Sequence, residues 1–140
     1  MSNAEDLIVF EKAHKLTVDL YNVTNDFPAE EKFGLISQVK RASSSINANL
    51  MEGSHRNTDK EYRKFVVIAR GSIGELKYHL LLAKDLGYIR EKEYFDFRNR
   101  IDEISKMLTG LIKALWELSV VSYKGKKVFE LKVLLKTEDW

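Results

Sequence analysis

This 140-residue sequence predicts an all-α fold, an antiparallel up-down-up-down four-helix bundle with a C-terminal extension. Three observations predict it. Tyr94, Phe97, Ile101, Ile104, Leu108, Leu111, Leu115 and Leu118 alternate steps of three and four, which is the a/d seam of a bundle or coiled coil. Three earlier segments carry apolar stripes at the 3.6-residue period. The breaks between segments, near Asn25-Asp26-Phe27-Pro28, Gly53-Ser54 and Leu86-Gly87-Tyr88, are short, and helices joined by short turns pack most simply with sequence neighbours antiparallel.

The first helix should run from Asp6 or Leu7 to about Asn25, with Phe10, Ala13, Thr17, Leu20 and Thr24 near one face and Val9, Leu16 and Val23 beside them. Proline is tolerated in a first turn, and Glu30 and Glu31 then lie where the helix dipole favours negative charge, so the second helix is expected to begin at Pro28. It passes Gly34 and ends near Gly53-Ser54, where glycine can supply a left-handed stop. Its apolar stripe is Leu35, Val39, Ala42, Ser43, Ile46 and Leu50. Beside the stripe lies a polar ridge, Gln38, Arg41, Ser45, Asn49, Glu52 and Arg56, at spacings where side chains bond one another.

Thr58-Asp59-Lys60-Glu61 is a capping box that opens the third helix. Its core face is Tyr62, Phe65, Val66, Ala69, Ile73, Leu76 and Leu80, and Gly87 reads as its C-cap, with apolar residues packing back behind it. Two further stripes stand out. Arg63, Arg70, Lys77 and Lys84 recur every seven residues as a basic edge. Val67, Ile68, Gly71, Gly74, Leu81 and Leu82 widen the apolar or small arc beyond what one core requires, which predicts a second interface through Val67, Ile68, Gly71, Gly74 and Leu81.

Residues 1–123 therefore read as one bundle domain. In residues 124–140, Phe129, Leu131, Val133 and Leu135 alternate with Glu130, Lys132 and Lys136, broken only by Leu134, the period of a strand, with no other strand in sequence to pair with. A strand, a helix and an extended tail on a neighbouring subunit all fit that pattern.

The sequence contains no cysteine, which excludes disulfides, thiolate metal sites and cysteine nucleophiles. No apolar run approaches a membrane span and no signal peptide opens the chain, so a cytoplasmic protein with no membrane partner is expected. Net charge is only +2, against general nucleic-acid binding by bulk charge. Locally, however, Lys40, Arg41, Arg56, Lys60, Arg63, Lys64, Arg70, Lys77 and Lys84 concentrate positive charge, either as a phosphate-facing patch or as a solvated surface. Nearby aromatics are few, Tyr62 and Phe65, both on the core face, so base stacking is not expected.

Enzyme chemistry has one foothold. Glu11-Lys12-Ala13-His14 and Glu52-Gly53-Ser54-His55 are Glu-x-x-His pairs that antiparallel packing brings to one end, the pattern of di-iron or di-manganese bundles, with Glu61 and Glu117 able to reach the same level. Orientation opposes it. At 100° per residue, Glu11 lies about 160° from Ala13, while Glu52 and His55 point away from Val39. No phosphate loop, nucleophile elbow or dinucleotide glycine pattern is present, Ser43-Ser44-Ser45 has no histidine at helical spacing, and His79 has no evident acid partner. No cofactor is expected.

Ser37-Gln38-Val39-Lys40-Arg41-Ala42, Ser45-Ile46, Asn49, Glu52-Gly53, Phe65, Ala69-Arg70-Gly71-Ser72 and Glu75-Leu76, with the Phe27-Pro28 and Leu86-Gly87-Tyr88 turns, resemble the bacterial 23S rRNA intervening-sequence proteins, also called S23 ribosomal proteins. The likeness spans roughly residues 7 to 118. It implies a four-helix bundle that forms homo-oligomeric rings, commonly pentamers. Related proteins are accessory subunits of retroelement reverse transcriptases, which makes RNA or a reverse transcriptase the implied partner. Together these readings favour a non-enzymatic oligomeric module that binds RNA or an RNA-handling protein, with a di-metal enzyme or a protein-only scaffold as alternatives.

Overall fold

The computed structural model describes residues 3–122. The expectations for residues 124–140 lie outside the described residues. Within them the chain is a four-helix bundle of α1 (Ile8–Val23), α2 (Leu35–Ser54), α3 (Asp59–Asp85) and α4 (Glu91–Ser122), with short 3-10 turns at Ala4–Asp6, Thr24–Asp26 and Ala29–Glu31. Each helix runs antiparallel to the next. α1 and α3 stand at diagonal corners, each packed against both α2 and α4.

The core follows the periodicity. All eight a/d residues of α4, from Tyr94 to Leu118, are buried, together with the α2 stripe and Val9, Ala13, Leu16 and Leu20 of α1. Burial of such a side chain stabilises by about 1.5–3 kcal/mol. On α3 the buried set is Tyr62, Val66, Ala69, Ser72, Ile73, Leu76, Leu80 and Ala83, while Phe65 is half-buried at the edge.

The helix ends show where local physics departs from the simplest reading. α2 does not begin at Pro28, whose ψ of 139° is extended. A 3-10 turn at Ala29–Glu31 intervenes, and Glu31 Oε2 accepts from the Leu35 backbone N–H at 3.0 Å. The carboxylate thus caps α2 from the preceding turn, which moves the helix start past Gly34.

Gly53 is likewise not a left-handed stop. It lies inside α2, and the sole positive-φ residue described is Gly87, at 79°. A Cβ at Gly53 would come within 2.8 Å of both Phe65 Cβ and Tyr62 Cδ1, so this glycine permits close approach of α2 and α3.

At the α3 N-terminus, Thr58 Oγ1 accepts from the Glu61 N–H at 3.1 Å. The return contact of Glu61 is to the Thr58 hydroxyl at 3.4 Å, so only half of the box forms. At the other end, Tyr88 N–H donates to Ala83 O and Gly87 N–H to Lys84 O, each at 2.9 Å, the paired bonds of a Schellman stop. Tyr88 then packs its ring 5.5 Å from that of Phe27, tying the α3–α4 turn to the α1–α2 turn. No described helix is long and apolar enough to cross a membrane.

Candidate interaction surface

The polar ridge of α2 is a network at the α2–α3 contact. Ser45 Oγ and Ser72 Oγ are 2.8 Å apart, and Asn49 Nδ2 donates to the Ser45 carbonyl and hydroxyl oxygens at 2.8 and 3.0 Å. Arg41 donates to Gln38 at 2.5 Å and to Glu75 at 3.3 Å, and Arg56 to Glu52 at 2.9 Å while its guanidinium sits 4.7 Å from the Phe65 ring centroid. Lys40 lies over the Tyr21 ring at 5.1 Å. These cations serve the fold as well as the surface.

The seven-residue basic edge of α3 faces α4. Arg63 stacks on Trp116 at 4.3 Å, Arg70 donates to Thr109 at 3.4 Å, Lys77 pairs with Asp102 at 3.3 Å, and Lys84 lies 4.8 Å from the Tyr94 ring centroid and 3.5 Å from Asp85. Moving up α3 by seven residues moves the partner down α4 by about seven, as antiparallel helices in register require. Lys77 and Lys84 are half-buried in this seam, whereas Lys60, Lys64 and Arg70 are exposed.

One part of the seam opens into a shallow groove of about 480 Å³, lined by Arg63, Val67, Arg70, Thr109, Ile112, Lys113 and Trp116. Three of these residues are cationic and none is acidic. Trp116 is 56% exposed, which places an aromatic ring among cationic side chains. Sequence reasoning missed the α4 wall, although Thr109, Ile112, Lys113 and Trp116 recur at helical spacing beside the a/d seam.

The surplus arc of α3 faces solvent except at Leu82, which is half-buried against the core. Val67, Ile68, Tyr78 and Leu81 are 43%, 51%, 59% and 36% exposed, and a Cβ added at Gly71 or Gly74 would meet nothing within 4 Å. Tyr78 completes this face and is not part of the interface read from sequence.

Glu11, His14, Glu52 and His55 are all exposed; Glu52 pairs with Arg56, and His55 Nδ1 lies 2.9 Å from the Met51 carbonyl. Among the described residues no group of three or more His, Asp or Glu could hold a metal ion. His79 does meet an acid, Glu75, at 3.4 Å within α3.

The family model of the 23S rRNA-intervening sequence protein matches residues 5–110. The chain belongs to this family. A solved structure from the S23 ribosomal protein family of Bacteroides thetaiotaomicron VPI-5482, described there as a protein with unknown function, is similar at 26% identity and a TM-score of 0.68, covering 76% of this chain and 99% of that one. Comparison with curated proteins finds no match. The 23S rRNA-intervening sequence match spans the outer face of α3 but stops before Ile112, Lys113 and Trp116, so one wall of the groove lies outside the matched region.

Proposed function

We propose that this chain is a non-enzymatic bundle that assembles with copies of itself through the outer face of α3 and, once assembled, engages RNA. The observation that carries the reading is the exposed face formed by Val67, Ile68, Gly71, Gly74, Tyr78 and Leu81, opposite the core face of the same helix. Leaving four large apolar side chains on one helix face in water is unfavourable by about 25 cal/mol per Å², and such patches mark contact surfaces. Assembly into a ring, five-fold in the reading from resemblance, would repeat each subunit's cations around one rim. A second phosphate contact then becomes intramolecular and avidity rises.

RNA is the partner we favour because the α3–α4 groove combines Arg63, Arg70 and Lys113 with the exposed ring of Trp116, a pairing of backbone charge and base stacking that suits single-stranded segments. Lys60 and Lys64 extend the exposed positive charge along α3, while Lys40, Arg41, Arg56, Lys77 and Lys84 are held by neighbours and contribute field rather than free contacts. The test of assembly is the solution mass of Gly74→Arg by light scattering. It should fall to that of a single chain with helicity retained, and an unchanged mass would overturn the reading.

A further inference from the structure

The apolar lining of the α3–α4 groove continues to the end of α4. Trp116 and Val120 are exposed, Ile112 is half-buried beside them, and Val67 of α3, also exposed, stands on the facing wall. Thr109, Ile112, Trp116 and Val120 follow one another at steps of three and four, which makes one stripe about 16 Å long at the helical rise. The stripe runs out just before Ser122, where α4 ends. Arg63 adds a polar demand. Its Nη1 is buried with no hydrogen-bond partner among the described residues, so the groove holds a donor in want of an acceptor.

Residues 123–140, which lie outside the described residues, begin at that same end. Their sequence has a matching repeat. Phe129, Leu131, Val133 and Leu135 recur every second residue, about 6.6 Å apart in an extended run, against about 6 Å for four residues of α-helix. Phe129 can therefore keep step with Val120, Leu131 with Trp116, Val133 with Ile112 and Leu135 with Thr109. The way back is short: Phe129 can stand up to about 23 Å from Ser122, and Gly125 is available where the chain must reverse. Within residues 128–135 the charges are Glu130 and Lys132, so no net charge opposes entry beside Arg63, Arg70 and Lys113. Ile112, Trp116, Val120 and this segment also lie together beyond residue 110, where the family match ends.

From this we infer that residues 128–135 of the same chain fold back along the α3–α4 groove as an extended run antiparallel to α4. Phe129, Leu131, Val133 and Leu135 lie on the stripe, and a backbone carbonyl of the run accepts from Arg63 Nη1. Glu130, Lys132 and Lys136 face water, with Leu134 the one apolar side chain among them. Val67 stands where the groove meets the outer face of α3, so the segment lies beside the face proposed for self-association. The groove is then occupied by its own chain, and any other ligand enters only by displacing that segment. The docking does not depend on the RNA reading.

Two measurements on the full chain test it. In a Trp140→Phe background Trp116 is the single tryptophan. Adding Leu131→Asp and Val133→Asp should shift its emission to the red and raise its quenching by acrylamide, with helicity kept. In this cysteine-free sequence, Lys113→Cys with Val133→Cys should form a disulfide within one chain under mild oxidation, read as faster migration of the single chain without reductant. Unchanged emission and quenching would overturn the docking. So would the absence of the disulfide, and disulfides formed only between chains would give the groove to a neighbouring copy's segment instead. A protein that retains RNA but fails both tests keeps the RNA reading and loses this one.

Discussion

The guanidinium of Arg63 lies 4.3 Å from the centroid of the Trp116 ring, joining two residues that are 53 positions apart in sequence. The stack is the first step of a ladder that continues through Arg70 with Thr109 and Lys77 with Asp102. A cation every seven residues is thus the flanking position of a helix seam, and its first employment is to hold α3 to α4. At Arg63 and Arg70 the ladder borders the groove, where Arg70 is exposed and Arg63 is half-buried. Arg63 Nη1 is buried there without a hydrogen-bond partner among the described residues, a cost that the ring contact, worth about 0.5–2 kcal/mol, offsets in part.

Replacing Arg63 and Arg70 together with glutamine should weaken retention of single-stranded RNA across sequences and flatten its salt dependence, since every phosphate that is no longer neutralised lowers the log–log slope by about 0.7. Trp116→Ala should weaken retention with the slope kept. Filter binding between low and moderate salt separates the two effects. Equal binding by wild type and double variant, or no retention by wild type at low salt, would remove RNA from the account and leave a protein-only scaffold.

Gly53→Ala should destabilise the fold by about 1–3 kcal/mol, because the new methyl meets Phe65 and Tyr62 at 2.8 Å and the Tyr62 carbonyl at 3.2 Å. Gly71→Ala places its methyl in open space and, by helix propensity alone, should stabilise the isolated bundle by about 1 kcal/mol. Urea unfolding of both variants at a concentration where the chain is a monomer checks the sign of each. A harmless Gly53→Ala would mean that α2 and α3 are not in close contact there.

Tyr62 is buried, and desolvation of its phenolate pushes its pKa from 10.0 up to about 12. Its hydroxyl has no hydrogen-bond partner among the described residues. The folded state thus holds the proton more tightly than the unfolded chain. The resulting stability is fully present below about pH 10 and is lost as pH rises through the folded value, by roughly 2–3 kcal/mol in all. Tyr62→Phe removes an unpaired buried hydroxyl, so it should cost little at neutral pH and should blunt the alkaline loss. Thermal melts from pH 8 to 11.5 test this, and identical pH profiles for the two proteins would contradict it.

The architecture was legible because it depends on period. The α4 seam alternates threes and fours over eight residues, and each of them is buried. The uncovered face of α3 was legible for the same reason, as an apolar arc too wide for one core. Contacts between segments distant in sequence were not. Gly53 reads as a helix stop when judged by its own backbone, whereas its role is set by Tyr62 and Phe65 on the next helix. Pro28 and Glu31 signal a helix start, but the helix begins at Leu35, where the Glu31 carboxylate closes back on the chain. Trp116 belongs to the groove only because the antiparallel register carries it to Arg63, and no local pattern around Arg63 announces it.

The central claim, that the bundle is one piece of a larger assembly, is tested most directly by sedimentation velocity of the unmodified protein over a hundredfold range of concentration. The account predicts a discrete species of several chains that persists on dilution and survives high salt, since its contact is mainly apolar. A single species of one chain at every concentration would contradict it.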